Sequence, residues 1–263
     1  MGIRKRPTSL GLDAPAILKE ARKLLSRRIE QPTRRAFLQR TLSMGGLALL
    51  SGCSLSDEDS VEQALVTVSR FNDRVQGWIF DPNRLAPPYP DSMITRPFPF
   101  NAYYGIEDAP QVNEADYRLE LSGLIADKRP WRLAQLRAMS QVDQVTRHIC
   151  VEGWSAIGKW GGVRFSDFLR TVGADLQAKY VGFKCADDYY TSIDMPTALH
   201  PQTLLALTYD GQPLPREYGF PMKLRMPTKL GYKNPKHIQA IYVTNTYPGG
   251  YWEDQGYNWF GGS

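Results

Sequence analysis

The sequence predicts an α+β domain with a mixed sheet, running from about Val66 to the C-terminus. Three observations carry this reading. Short apolar runs, some alternating and some continuous, recur between Gly, Pro and Asp turn signals, as strands do. Brief segments with helical starts and stops lie among them. No internal repeat is evident.

Taken in order, residues 80–100 (FDPNRLAPPYPDSMITRPFPF) are rich in Pro and aromatics and predict an extended segment wrapped over a surface. Residues 117–122 alternate like a half-buried strand that Gly123 ends. Residues 133–139 suit one or two helical turns, and 144–151 a strand. Residues 166–172 suit a short helix with Ser166 as N-cap and Gly173 as stop. Residues 180–185 and 189–193 read as two strands joined at Asp187 and Asp188. Asp194 caps a short helix with Pro196 in its first turn. Residues 204–209, 222–226 and 238–244 are further strands, before a tail crowded with Gly and aromatics.

The chain has 263 residues, of which 42% are hydrophobic and 22% charged, a balance that excludes a wholly disordered or polytopic membrane protein. The formal charge of +5 is unevenly placed. Residues 1–52 hold 11 Lys+Arg against 3 Asp+Glu, while the remainder holds 21 against 24. Without its first segment the protein is mildly acidic, so nucleic acid is not an expected partner.

The run 33–53, TRRAFLQRTLSMGGLALLSGC, has a basic stretch, a short apolar stretch and small residues before a Cys. Arg34 and Arg35, followed by Phe37 and Leu38, resemble a twin-arginine signal, and Leu50-Ser51-Gly52-Cys53 resembles a bacterial lipobox. The expected organisation is a signal segment over 1–52, a polar tether over 53–65 and one domain over 66–263. The resemblance implies export of the folded protein by the twin-arginine machinery to the periplasmic side of the envelope, with a lipid anchor on Cys53.

Two cysteines remain inside the domain, Cys150 and Cys185. A disulfide between them is one reading, since an exported compartment permits it. With three histidines and no ligand spacing, a zinc site is disfavoured, and the absence of Cys-x-x-Cys-His excludes a c-type haem on this chain.

The segment around Cys150, RHICVEGWSAIGKWGGV, resembles the cysteine segment of the sulfite-oxidase-like molybdopterin-dependent oxidoreductases, most of all the branch of periplasmic methionine-sulfoxide reductase catalytic subunits. Asn101-Ala102-Tyr103-Tyr104-Gly105, the run from Gly211-Gln212-Pro213 to Gly219-Phe220-Pro221, and Lys223-Leu224-Arg225-Met226-Pro227 through Gly231-Tyr232-Lys233 follow the same family's pattern in order. The resemblance implies a sulfite-oxidase-type molybdopterin-binding fold with a Mo-molybdopterin cofactor. Cys150 is then the metal ligand, a soft isolated thiolate suited to molybdenum. Asn101, Tyr104 and Gly105 are implied to contact the pterin, with Cys185, Tyr218 and Lys223 at further cofactor positions. Asn234, Pro235 and Lys236 are implied to hold the phosphate end. Lys233 and Lys236, flanking a turn, suit a phosphate as cations.

Gly153, Gly158, Gly161 and Gly162 are expected to let the backbone approach the cofactor, and Trp154 and Trp160 to wall the pocket. His148, two residues before Cys150 on a strand, shares its face and is a candidate contact, whereas Arg147 points away. His200 is a weaker candidate, and exposure is the simpler expectation for His237. Gly105, Tyr218 and Lys223 depart from the branch pattern, so the substrate is less constrained than the cofactor.

The function implied is oxygen-atom transfer at a molybdenum centre, reducing an S-oxide or N-oxide. Glu152 near the ligand disfavours sulfite, although sulfite oxidation with a cytochrome acceptor stays an alternative. A non-catalytic envelope lipoprotein with a Cys150–Cys185 disulfide is another. No haem motif or flavin fingerprint is visible, which implies an external electron partner, a membrane haem-b protein or a periplasmic cytochrome. A monomer is the default.

Overall fold

The structure is a computed structural model that describes residues 58–263. The signal assigned to 1–52 and the anchor position Cys53 lie outside the described residues. The chain divides into Met1–Ala64 and Leu65–Ser263. Only the beginning of one helix is described in the first unit.

That helix, α1 (Glu58–Ile79), starts within the stretch read as a tether and runs into the second unit. After it, the Pro-rich segment is extended as expected, with one 3-10 turn at Asp91–Met93. It lies along the strands that follow: Tyr89 N donates to Val145 O (3.0 Å) and Thr95 N to Ile157 O (2.9 Å).

The remaining elements are β1 (Glu120–Gly123), α2 (Leu133–Ala138), β2 (Gln141–Ile149), β3 (Ser155–Arg164), α3 (Phe165–Thr171), β4 (Tyr180–Cys185), β5 (Tyr190–Asp194), α4 (Met195–Leu199), β6 (Leu204–Tyr209), β7 (Gln212–Pro213), β8 (Lys223–Arg225) and β9 (Ile238–Thr244). The strands form two sheets where one was expected. One is mixed, in the order β1-β9-β4-β5, with β1 parallel to β9 and the other pairs antiparallel. The second is antiparallel, in the order β2-β3-β6-β7, with β8 also paired to β6. The α+β class holds.

Both sheets feed one apolar core. Leu121, Val181, Phe183, Ile241 and Val243 of the mixed sheet pack with Val163, Leu205, Leu207 and Leu224 of the other, and α3 inserts Phe165, Phe168 and Leu169. A smaller cluster of Phe98, Ala156, Trp160, Ala206, Tyr209 and Leu214 seals the second sheet against the extended segment.

Several local expectations shift. Helix α3 begins at Phe165 with Arg164 in the cap position and no side-chain cap, so Ser166 is not the N-cap; Gly173 does end it, at φ 64°. Asp194 caps α4 by position, but its carboxylate accepts from the Thr197 hydroxyl and not from a backbone N–H. Strand β3 was not expected. Its glycines do not face a ligand: Gly161 presses on Asp143 and Thr208, and Gly162 on the backbone of Leu205 and Ala206, so they permit close strand packing.

Candidate active site

Cys150 follows the last residue of β2 and sits at the rim of a cavity of about 230 Å³. A turn holds it: Cys150 N donates to Trp154 O (2.9 Å) and Gly153 N to Cys150 O (3.2 Å), with Gly153 at φ 91°, where a side chain would be strained. Its Sγ is 3.6 Å from Glu152 Oε2, which also accepts from Trp154 Nε1 (2.8 Å). Burial, with the Glu152 charge adding to it, pushes the Cys150 thiol above its ordinary pKa. A bound cationic metal would reverse that sign. Cys150 and Cys185 are both free.

Four other parts of the chain meet Cys150 at the cavity. The 101–104 stretch brings Asn101, Tyr103 and Tyr104. The β4–β5 turn brings Asp187, which accepts from the Tyr104 hydroxyl (2.8 Å) while its carbonyl accepts from the Tyr103 hydroxyl (2.5 Å). The loop after β8 brings Gly231, Tyr232, Asn234, Pro235 and Lys236, and the tail brings Trp252 and Tyr257. Of the sequence-predicted residues, Asn101, Tyr104, Cys150, Asn234, Pro235 and Lys236 therefore converge.

A cluster of buried cations includes Lys236 of this wall and, off it, Lys223 and Arg225. Lys223, Arg225 and Lys236 are at most 8% exposed, and none forms an ion pair with a carboxylate among the described residues. Lys223 Nζ lies 4.9 Å above the Trp160 ring. Arg225 donates to Asn234 Oδ1, Thr146 Oγ1 and Arg147 O, and its Nε has no partner among the described residues. Lys236 Nζ donates to Glu217 O (3.0 Å) and faces the Phe100 ring at 4.5 Å. Burial depresses all three, Arg225 to about 9 and Lys236 to about 8, with Lys223 well below its usual range.

His148 stands against the cluster. It is fully buried, its Nε2 approaches Asn101 Nδ2 at 3.5 Å, and its Nδ1 has no partner among the described residues. Burial, then Lys223, Arg225 and Lys236, hold it well below its usual pKa, so the imidazole is neutral. Gly231 passes so close that a Cβ there would lie 2.8 Å from His148 Nε2. As expected, Arg147 points away from this face.

Other expected residues lie elsewhere. Cys185 packs in the main core and does not line the cavity, and burial raises its thiol well above its ordinary pKa. Gly105 begins a 3-10 turn beside the cavity and does not line it. Tyr218 also stays off the wall: its hydroxyl donates to Phe98 O (2.9 Å) and its ring packs on Phe98 and Tyr209. Lys233 is not available to a phosphate. It is fully buried and gives its cation to Glu253 and Ser192 O. Trp154 and Trp160 are absent from the cavity wall, and Trp160 is core. His200 has both ring nitrogens engaged, with Arg84 O and Gln202 N, a packing role. His237 is buried, not exposed, and its Nδ1 donates to Phe220 O (2.7 Å). The Asn234 side chain is spent internally, accepting from Met226 N (2.6 Å) and donating to Leu230 O (2.9 Å), so it shapes the loop.

Sequence reasoning passed over Arg225, Asp187 and Trp252. Arg225 stood in a quoted motif, and a lone Arg between apolar strand residues was a signal for a buried cation. Asp187 and Trp252 had none, because only folding brings the β4–β5 turn and the tail to the site.

The description of the oxidoreductase molybdopterin binding domain matches residues 106–252. A protein of Azospira oryzae, provisionally named protein-methionine-sulfoxide reductase subunit YedZ1, is 72% identical over 247 residues, 94% of each chain. The protein-methionine-sulfoxide reductase catalytic subunit MsrP of Xanthomonas campestris is 35% identical over 134 residues, 45% of this chain and 42% of that one. The uncharacterized oxidoreductase YuiH of Bacillus subtilis is 28% identical over 171 residues, 64% of this chain and 85% of that one.

Proposed function

This chain belongs to the oxidoreductase molybdopterin-binding family, and from that premise we propose that it reduces S-oxides, methionine sulfoxide foremost, at a molybdenum centre bound through Cys150. The residues suit such a group. Among the described residues no three His, Cys, Asp or Glu side chains gather to hold a metal ion, so a metal here must bring most of its ligands with it. One thiol at a cavity rim, unpaired buried cations and an orphaned His148 Nδ1 beside them match an anionic cofactor that supplies the other sulfurs.

When bound, the cofactor supplies two-electron oxygen-atom transfer. The chain's own residues do the rest. Cys150 holds the metal as a thiolate. Asn101 and Tyr104 would contact the pterin, and Lys236 would hold the phosphate end. Lys223 and Arg225 remain buried and favour the anionic cofactor through their field. Tyr103, Trp252 and Tyr257 narrow the opening and keep water from the reacting centre.

One observation carries the choice of substrate. The charged side chains on the cavity wall are Glu152, Asp187 and Lys236, two acids against one cation. Once the bound anionic cofactor offsets the buried cations, these acids disfavour a sulfite dianion and leave a neutral S-oxide unaffected. The relatives named for methionine-sulfoxide reduction support the same direction. Electrons then come from an external donor, a membrane haem-b protein or a periplasmic cytochrome, which meets the protein on the periplasmic side with Cys53 as lipid anchor.

The deciding experiment measures molybdenum per chain, then turnover of methionine sulfoxide with a reduced artificial donor beside turnover of sulfite with an artificial acceptor. One molybdenum with S-oxide reduction is expected. Sulfite oxidation with S-oxides untouched overturns the substrate.

A further inference from the structure

Helix α1 carries an apolar stripe that nothing in the described chain covers. Leu65, Val68, Phe71, Trp78 and Ile79 are all exposed, Trp78 by 86% and Phe71 by 61%. At about 100° per residue they fall within roughly 140° of arc, with the half-buried Val75 between them. The opposite face is engaged with the domain. Asp73 Oδ1 accepts from Asn258 Nδ2 (2.7 Å) and Phe260 N (3.0 Å), and a Cβ on Gly77 would meet Phe260. The helix is thus held by its polar side and offers its apolar side outward, the reverse of an ordinary surface helix.

We infer that this stripe seats on a lipid bilayer surface, laying α1 in the membrane interface. Three observations favour lipid over a protein partner. The stripe is a convex ridge of one helix, rich in the Trp, Phe and Leu that interfacial helices bury, and over residues 65–79 Asn72 is the single polar residue within its arc. Exposed Arg70 and Arg74 border it on one side, where lipid phosphates would lie. Glu58 follows Cys53 by five positions, which an extended chain spans in at most about 18 Å, so the acyl anchor proposed above would keep the helix beside the membrane. The helix lies on the bilayer and does not cross it: no helix among the described residues is long and apolar enough to span.

The test uses the full chain with molybdenum bound, mixed with vesicles of phosphatidylethanolamine and phosphatidylglycerol whose acyl chains carry bromine, a short-range quencher of tryptophan. Trp78→Phe supplies the background from the other tryptophans. The expected result is quenching in the native protein that Trp78→Phe removes, and that Val68→Ser with Phe71→Ser largely abolishes. Molybdenum content and melting temperature should not change in these variants, because the altered side chains face away from the domain. Trp78 left unquenched on vesicle-bound protein overturns the inference. So does a stripe covered instead by a second copy, seen as a dimer in sedimentation, or by a protein, seen as Trp78 shielded from acrylamide only in native membranes. None of these readouts depends on the substrate, so the inference can fail while the proposed reaction stands.

Discussion

Lys233 and Glu253 form an ion pair in which both side chains are 1% exposed. Lys233 belongs to the 3-10 turn Gly231–Lys233 beside the cavity, and Glu253 to the tail that supplies Trp252 and Tyr257 to its wall. The pair ties these two walls together. Thr191 Oγ1 donates to the same carboxylate oxygen (2.7 Å), and Trp259 Nε1 bonds Ser192 Oγ (2.8 Å), so β5 is the shared platform.

Glu253→Gln should therefore destabilise the fold by about 3–5 kcal/mol, since it strands a buried ammonium. Lys233→Met with Glu253→Leu should recover much of that loss, because two apolar groups leave no buried charge. Chemical denaturation of all three proteins checks this. Equal loss in the single and double variants would show that the pair itself is not the source.

Cys150→Ser should remove molybdenum and activity and leave the melting temperature of the cofactor-free protein within a few degrees, since a hydroxyl cannot replace a soft thiolate. Cys185→Ser should do the opposite. It buries a hydroxyl in an apolar core at about 1–3 kcal/mol and keeps turnover per bound molybdenum. Metal analysis with a melting curve separates the two.

Lys236 makes stability depend on pH. Burial holds it at about 8 in the fold, against 10.5 unperturbed. Between those values the unfolded chain binds more protons than the folded one, so stability rises with pH there. Cofactor-free protein should gain stability from about pH 8 to pH 10, and Lys236→Met should lessen the rise, to which the buried Lys223, Arg225 and Lys229 also contribute. A bound anionic cofactor should lessen it too, by returning Lys236 toward its usual range. Thermal melts across that window, with and without cofactor, are the measurement.

Glu152→Gln removes one of the two acids on the wall. Sulfite should then inhibit S-oxide reduction at about tenfold lower concentration or better, because a like charge beside the anion is gone. An unchanged inhibition constant would mean that Glu152 does not set the preference.

Arg34→Lys with Arg35→Lys should keep the precursor in the cytoplasm, because the export receptor reads the guanidinium pair and not charge alone. Cell fractionation decides it, and undiminished periplasmic protein would remove the twin-arginine proposal.

The sequence by itself determined most of the strands, because alternation and turn residues are local signals: β4, β6 and β9 lie where the pattern puts them. It also marked Cys150 and the loop at 234–236, whose residues are contiguous in motifs. It missed β3, since Gly158, Gly161 and Gly162 lower strand propensity and only a partner strand at close range makes them useful. It missed α1, although apolar residues three and four apart were there to be read, because the acidic start suggested a tether. The tertiary structure alone decided which residues face the cavity. Tyr218 and Lys223 lie in the motifs yet pack around Trp160, and Lys233 is consumed by Glu253, while Asp187 and Trp252 arrive from a turn and a tail distant in sequence. The reason is physical: strand patterns depend on neighbours along the chain, whereas the environment of a buried charge depends on groups that only the packing of two sheets and a tail brings together.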